Sequence, residues 1–71
     1  MVNEERTVDG VKYRLVCGPA KSGLLEALIR DMSTQKDVWQ ATILPYEDEA
    51  GLVERMNQAF SALTGDRKSV V

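Results

Sequence analysis

The first pattern along the chain is an alternation of apolar and polar residues on both sides of an Asp9-Gly10 pair. An Asp-Gly pair suits a two-residue type I′ turn, because both central residues of that turn have positive φ. A hairpin folded at this pair aligns Glu5 with Arg14, and opposite charges facing each other across the ladder support the register. The pattern therefore predicts two antiparallel strands, the second with these side chains on its core side: Val11, Tyr13, Leu15 and Cys17.

The next stretch carries apolar residues at helical spacing. Gly18-Pro19 ends the second strand, and proline suits the first position of a helix. Apolar residues then recur three and four positions apart, which is typical of the buried face of an amphipathic helix. This spacing predicts a first helix near residues 20–33, with these residues on its apolar face: Leu24, Leu25, Leu28, Ile29 and Met32.

A third strand is predicted over residues 38–44, where β-forming residues are frequent and Pro45 follows. Its alternation does not show which side is core, because both sides are largely apolar. One side carries Trp39, Ala41 and Ile43, and the other carries Val38, Thr42 and Leu44 together with Gln40. We therefore expect this strand to be central in the sheet or covered on both sides.

A second helix is predicted from about Asp48 to Leu63, and Gly65 suits the position just after a helix end. Carboxylates at its start would favour the positive end of the helix dipole. A continuous apolar stripe then recurs at helical spacing, formed by Leu52, Val53, Met56, Ala59, Phe60 and Leu63.

These elements predict a single α+β domain over residues 1–65, in the order β-β-α-β-α, followed by a flexible C-terminal tail at residues 66–71. A right-handed crossover through the first helix would make the third strand parallel to the second. The expected architecture is a three-stranded mixed sheet with two helices on one face. An exposed sheet edge and part of the other face would remain uncovered, which is a plausible dimer surface.

Length and composition favour self-association. A chain of 71 residues buries only a modest fraction of its surface, and such domains often need a disulfide, a metal or a second subunit. One cysteine excludes an intrachain disulfide, and the lack of histidine excludes Cys/His zinc sites. We therefore expect a homodimer that uses no cofactor and no metal.

Charge and hydropathy further reduce the classes of ligand that we expect. The formal net charge is −2, without the basic stripe of a nucleic-acid binder, so nucleic acid is not the expected ligand. No apolar run is long enough to cross a membrane. The polar N-terminal segment and the free thiol of Cys17 favour a cytoplasmic protein of bacterial or phage type.

The sequence does not favour catalysis. Without histidine, the usual acid–base and nucleophile-activating group is absent, and we expect a protein that is not an enzyme. Lys21 follows a Gly18-Pro19 turn, but the spacing does not match a phosphate-binding loop. A weaker alternative function is anion or nucleic-acid binding through Lys12, Arg14 and Lys21, aided by free N–H groups at the predicted helix start.

The favoured hypothesis is a small interaction or regulatory protein that self-associates and binds a larger protein. Tryptophan is enriched at interaction hot spots, although Trp39 could equally fill the core. The acids before the second helix could dock a basic partner or simply compensate the helix dipole. The residues we single out for interaction are Trp39, Gln40, Leu44, Glu47, Asp48 and Glu49.

Overall fold

The computed structural model describes residues 1–65, which form a four-stranded antiparallel sheet and one helix. The strands follow one another in space as they do in sequence, so every connection in the sheet is a hairpin. The elements are β1 (Val2–Val8), β2 (Val11–Pro19), β3 (Leu25–Asp31), β4 (Lys36–Thr42) and α1 (Glu49–Leu63). The predicted flexible tail at residues 66–71 lies outside the described residues.

The first hairpin has the predicted turn and the predicted register. Asp9 and Gly10 have φ values of 52° and 81°, as a type I′ turn requires. Val8 pairs with Val11, and Glu5 pairs with Arg14. A local turn signal and complementary cross-strand charges were therefore sufficient to define this part of the fold.

The predicted first helix is wrong. Residues 20–24 form a turn closed by Gly23, whose φ is 91°, and β3 then runs antiparallel to β2. Leu25, Ala27 and Ile29 face the core, whereas Leu28 lies on the other side of the strand. Because both sides of β3 carry apolar residues, its sequence also satisfies the three- and four-residue spacing of a helix.

The mixed three-stranded sheet with two helices is also wrong, although the α+β class holds. Without a helix between β2 and β4 there is no crossover, and the last strand pairs antiparallel with β3. β4 is an edge strand, not the central strand that its two apolar sides suggested. An irregularity opposite the Ile29–Arg30 step lets Trp39 pair with Ile29 while Asp37 pairs with Arg30.

The helix α1 begins and ends close to the predicted residues. The carboxylate of Asp48 accepts a hydrogen bond of 2.9 Å from the backbone N–H of Gly51, so Asp48 is the N-cap. At the other end, Gly65 has a φ of 76°, which suits a residue that follows a helix.

The core lies between α1 and one face of the sheet, and the helix packs mainly against β3. Partly buried residues extend the core on β4 and just after it, where Trp39, Ala41 and Ile43 lie on the side that faces the helix. The rings of Tyr13 and Phe60 pack nearly perpendicular to each other, with centroids 5.4 Å apart. The fully packed residues are Leu15, Cys17, Ala27, Ile29, Leu52, Met56 and Phe60.

Candidate interaction surface

No element of residues 1–65 covers the face of the sheet that points away from α1. Side chains alternate between the two sides of a strand, so residues out of phase with the core share this second face. We call it the open face, and it is formed by Asn3, Glu5, Thr7, Lys12, Arg14, Val16, Glu26, Leu28, Arg30, Met32, Asp37, Gln40 and Thr42.

An apolar strip runs along the middle of the open face. Val16 and Leu28 are direct partners across β2 and β3, and Met32 lies on the same side beyond Arg30, just after the end of β3. All three side chains are half-buried. Together with Arg14 and Arg30 they line a shallow depression of about 260 Å³. The two central strands therefore present apolar side chains on both sides of the Arg14–Arg30 row, and these side chains remain partly in contact with water.

Two ion pairs lie in one row across the sheet, between the Val16–Leu28 pair and Met32. A nitrogen of the Arg14 guanidinium lies 2.7 Å from a carboxylate oxygen of Glu5, and Nζ of Lys12 lies 4.0 Å from the other oxygen. Across the face, Nε of Arg30 lies 2.9 Å from Oδ1 of Asp37. The hydrogen bond from Arg14, followed by the charge of Lys12, lowers the pKa of Glu5.

The open face as a whole is electrically neutral. Its three cations are Lys12, Arg14 and Arg30, and its three carboxylates are those of Glu5, Glu26 and Asp37. The carboxylate of Glu26 accepts a hydrogen bond from the side chain of Gln40. The charges on this surface therefore cancel locally, without an excess of either sign.

The residues proposed for anion binding do not come together. Lys12 and Arg14 lie on the open face beside Glu5, whereas Lys21 lies in the turn beyond the far end of β2. The helix start that was expected to supply free N–H groups does not form, since Leu25–Asp31 is a strand. The predicted helix start is therefore wrong, and anion binding through Lys12, Arg14 and Lys21 stays a prediction.

Trp39, Gln40 and Leu44 are neighbours in sequence, but they lie on different sides of the molecule. Trp39 packs against the core beneath α1, whereas Gln40 is exposed on the open face. Leu44 is half-buried in the loop before the helix, where its backbone N–H donates to Glu47. These three residues do not form one surface, and their part in binding stays a prediction.

The acidic residues before α1 have local partners. Glu47 forms a two-point ion pair with Arg55, with both N–O distances at 2.8 Å, and Arg55 also donates to the carbonyl oxygen of Thr42. This contact lowers the pKa of Glu47 and raises that of Arg55. Asp48 caps the helix and Glu49 lies in its first turn. Glu47 and Asp48 thus fix the loop and the helix start, and their role toward a partner is untested.

Cys17 and the carboxylates are the remaining side chains that could carry chemistry. Cys17 is buried in the core with 1% of its surface exposed. Within residues 1–65, no group of three carboxylate or cysteine side chains is arranged to hold a metal ion. In the same part of the chain, no helix has both the length and the hydropathy needed to cross a membrane.

The sequence reasoning missed the centre of the open face, because it assigned Leu28 and Met32 to a helix. The signal was nevertheless present. Leu28 stands between Ala27 and Ile29 in the sequence, and consecutive residues of a strand point to opposite sides. Apolar residues at consecutive positions are typical of a strand that is buried on both sides. Val16 showed the same feature on β2, where it lies between two core residues.

Comparisons with protein-family models, with curated proteins and with solved structures gave no significant match.

Proposed function

We propose that this chain is a small, non-catalytic protein-interaction module that binds through the open face of its sheet. The observation that carries the proposal is the apolar strip of Val16, Leu28 and Met32 on a sheet face that no described element covers. The absence of histidine and the burial of Cys17 support a function other than catalysis.

The composition of the two central strands supports this function. An antiparallel sheet that is packed on one side normally presents polar residues to water on the other. Here β2 and β3 place Val16 and Leu28 side by side on the uncovered face. Burying such side chains is favourable by about 25 cal/mol per Å² of apolar surface removed from water. A partner that covered the strip would gain this free energy.

The charges around the strip favour a protein as that partner. Glu5 and Asp37 neutralise the nearby cations, so the face lacks the excess positive charge that phosphate backbones require. Tyr13 and Trp39 pack on the helix side of the sheet and supply no stacking platform on the open face. Anion or nucleic-acid binding through Lys12 and Arg14 therefore has weaker support.

Site-specific photo-crosslinking tests the proposal. A benzophenone amino acid would replace Leu28 on the open face or, as a control, Gln58, which is exposed on the helix. After irradiation of cells of the organism that encodes the chain, we expect protein adducts from position 28 and far fewer from position 58. Absence of adducts at position 28, in a folded protein, would contradict binding through this face.

A further inference from the structure

We infer that the open face binds a second copy of this chain, with the two sheets stacked about a two-fold axis that crosses the strands at Val16 and Leu28. The inference rests on the proposed function, and it names the partner. Symmetric dimers place the same patch of both subunits in contact, so the patch must be complementary to itself. Two features of the open face meet this requirement, and a third feature, at the sheet edges, disfavours the alternative mode of pairing.

The first feature is the position of the apolar residues. Asn3, Val16, Leu28 and Gln40 are partners in one row that runs across all four strands. A two-fold axis along this row places Val16 opposite Val16 and Leu28 opposite Leu28 of the second copy. Stacked sheets pack about 10 Å apart, with side chains from both inner faces filling the space between them. Val16 and Leu28 would then become the centre of the interface, with Met32 farther from the axis.

The second feature is the order of charges along β3. Arg30 and Glu26 each lie two residues from Leu28, on opposite sides of the apolar row. Rotation about that row exchanges the two sides, so Arg30 of each copy lies opposite Glu26 of the other. The same rotation brings the guanidinium of Arg14 toward this contact. The dimer would thus form two symmetric pairs of opposite charge.

The third feature is the unsuitability of the sheet edges. Two copies could instead pair through an outer strand, but β1 carries Glu4, Glu5 and Arg6, and β4 carries Lys36 and Asp37. Charged residues on edge strands oppose pairing with another chain. On the open face the row that carries the axis holds no charged residue, and the charges on the rest of the face sum to zero. Face-to-face stacking is therefore favoured over edge-to-edge pairing.

The size of the face sets the expected affinity. Four strands about 4.8 Å apart and roughly 23 Å long cover on the order of 400 Å². Two such faces with their side chains remove on the order of 1,000 Å² from water in total, near the lower limit for a specific interface. We therefore expect a dimer that dissociates in the micromolar range, and not an obligate one.

Sedimentation equilibrium of the purified full chain, from about 1 to about 300 µM, tests the inference over the affinity range of such an interface. The wild-type chain should pass from monomer to dimer across this range. Leu28→Glu should keep the chain monomeric, because it places two carboxylates at the centre of the interface. Leu63→Glu is the control, since Leu63 is exposed at the end of α1, and it should leave the equilibrium unchanged.

A charge exchange tests the geometry without altering the apolar strip. Glu26→Arg and Arg30→Glu should each weaken the dimer by roughly tenfold or more, because each places like charges opposite one another. An equimolar mixture of the two variants should form a heterodimer of near wild-type affinity, in which both pairs are again of opposite charge. Circular dichroism of each variant would establish that the fold is intact.

The outcomes separate this inference from the proposed function. A wild-type chain that stays monomeric throughout, or a dimer that survives Leu28→Glu, would overturn the inference. So would failure of the mixed charge variants to associate more tightly than either variant alone. If the chain is monomeric but position 28 crosslinks to a different polypeptide, the interaction function stands and only the identity of the partner is wrong. If position 28 gives no adduct either, both fail.

Discussion

The two faces of the sheet are built from the same strands, yet they differ in how their apolar residues are used. On the covered face, Leu15 and Ile29 are completely buried beneath α1. On the open face, Val16 and Leu28 are their neighbours in the sequence, but these two side chains remain partly exposed to water. The comparison shows that β2 and β3 have the composition of strands enclosed on both sides, while the described chain encloses only one.

The largest effect should follow from a substitution on the covered face. Ile29→Ala removes a completely buried side chain and leaves a cavity, so we expect a loss of about 3 kcal/mol in the free energy of unfolding. Urea denaturation at low protein concentration would measure it. A loss below about 1 kcal/mol would mean that α1 does not pack tightly on β3.

A smaller loss of stability should follow from weakening α1, the helix that covers one face of the sheet and leaves the other open. Asp48→Ala removes the side chain that caps α1, and the expected loss is about 1 kcal/mol in the free energy of unfolding. Asp48→Asn is the matched control, because asparagine also caps helices. Dimerisation should be unchanged in both variants, since Asp48 does not lie on the open face. A shift in the dimer equilibrium would contradict the claim that the covered face stabilises the fold while the open face mediates self-association.

Lowering the pH should also reduce the stability of the fold, through the carboxylate of Glu47. The pKa of Glu47 in the folded state is lowered by its hydrogen bond from Arg55, from an ordinary value of 4.5. A lowered folded pKa stabilises the fold above the unfolded pKa, and this contribution is lost as the pH falls through the folded value.

We therefore expect the melting temperature to fall between about pH 5 and about pH 3, and to fall less in Glu47→Gln. The difference between wild type and variant isolates Glu47 from Glu5 and Asp31, whose pKa values are also lowered. Thermal melts at low protein concentration would measure it. Equal acid sensitivity of the two proteins would contradict a stabilising role for the Glu47–Arg55 pair.

The smallest effect on folding should come from the open face. At concentrations where the chain is monomeric, Leu28→Ala should cost less than about 1 kcal/mol, because part of the side chain is already exposed to water. Ile29→Ala, one residue away, is the natural comparison. If the two substitutions destabilised the monomer equally, Leu28 would have to be covered by another part of the chain.

The contrast between the faces also explains how far the sequence could predict the fold. The Asp9-Gly10 hairpin and α1 were predicted correctly, because each carries local signals that do not depend on the rest of the chain. β3 was not, because apolar residues on both sides of a strand imitate the spacing of a helix. Because of that one error, the predicted fold lacked a hairpin and contained a crossover. Its last strand was therefore parallel to its neighbour, whereas the last strand in the structure is antiparallel.

The candidate surface was predicted only in part for the same reason. Lys12, Arg14 and Gln40 were singled out, and all three lie on the open face. Leu28 and Met32 were assigned to the buried side of a helix, so the apolar strip could not be recognised. A surface that is assembled from four strands depends on their order and register, and periodicity within one segment does not contain that information.

The most direct test of the central claim is the water accessibility of individual methyl groups, measured by NMR with a soluble paramagnetic agent at low and high protein concentration. The account predicts that the methyl groups of Val16, Leu28 and Met32 become protected as the concentration rises. Those of Leu63 and Ala50, which are exposed on α1, should stay accessible throughout. Equal accessibility of the open-face methyl groups at both concentrations, or protection confined to Leu63 and Ala50, would contradict a self-association that buries the open face.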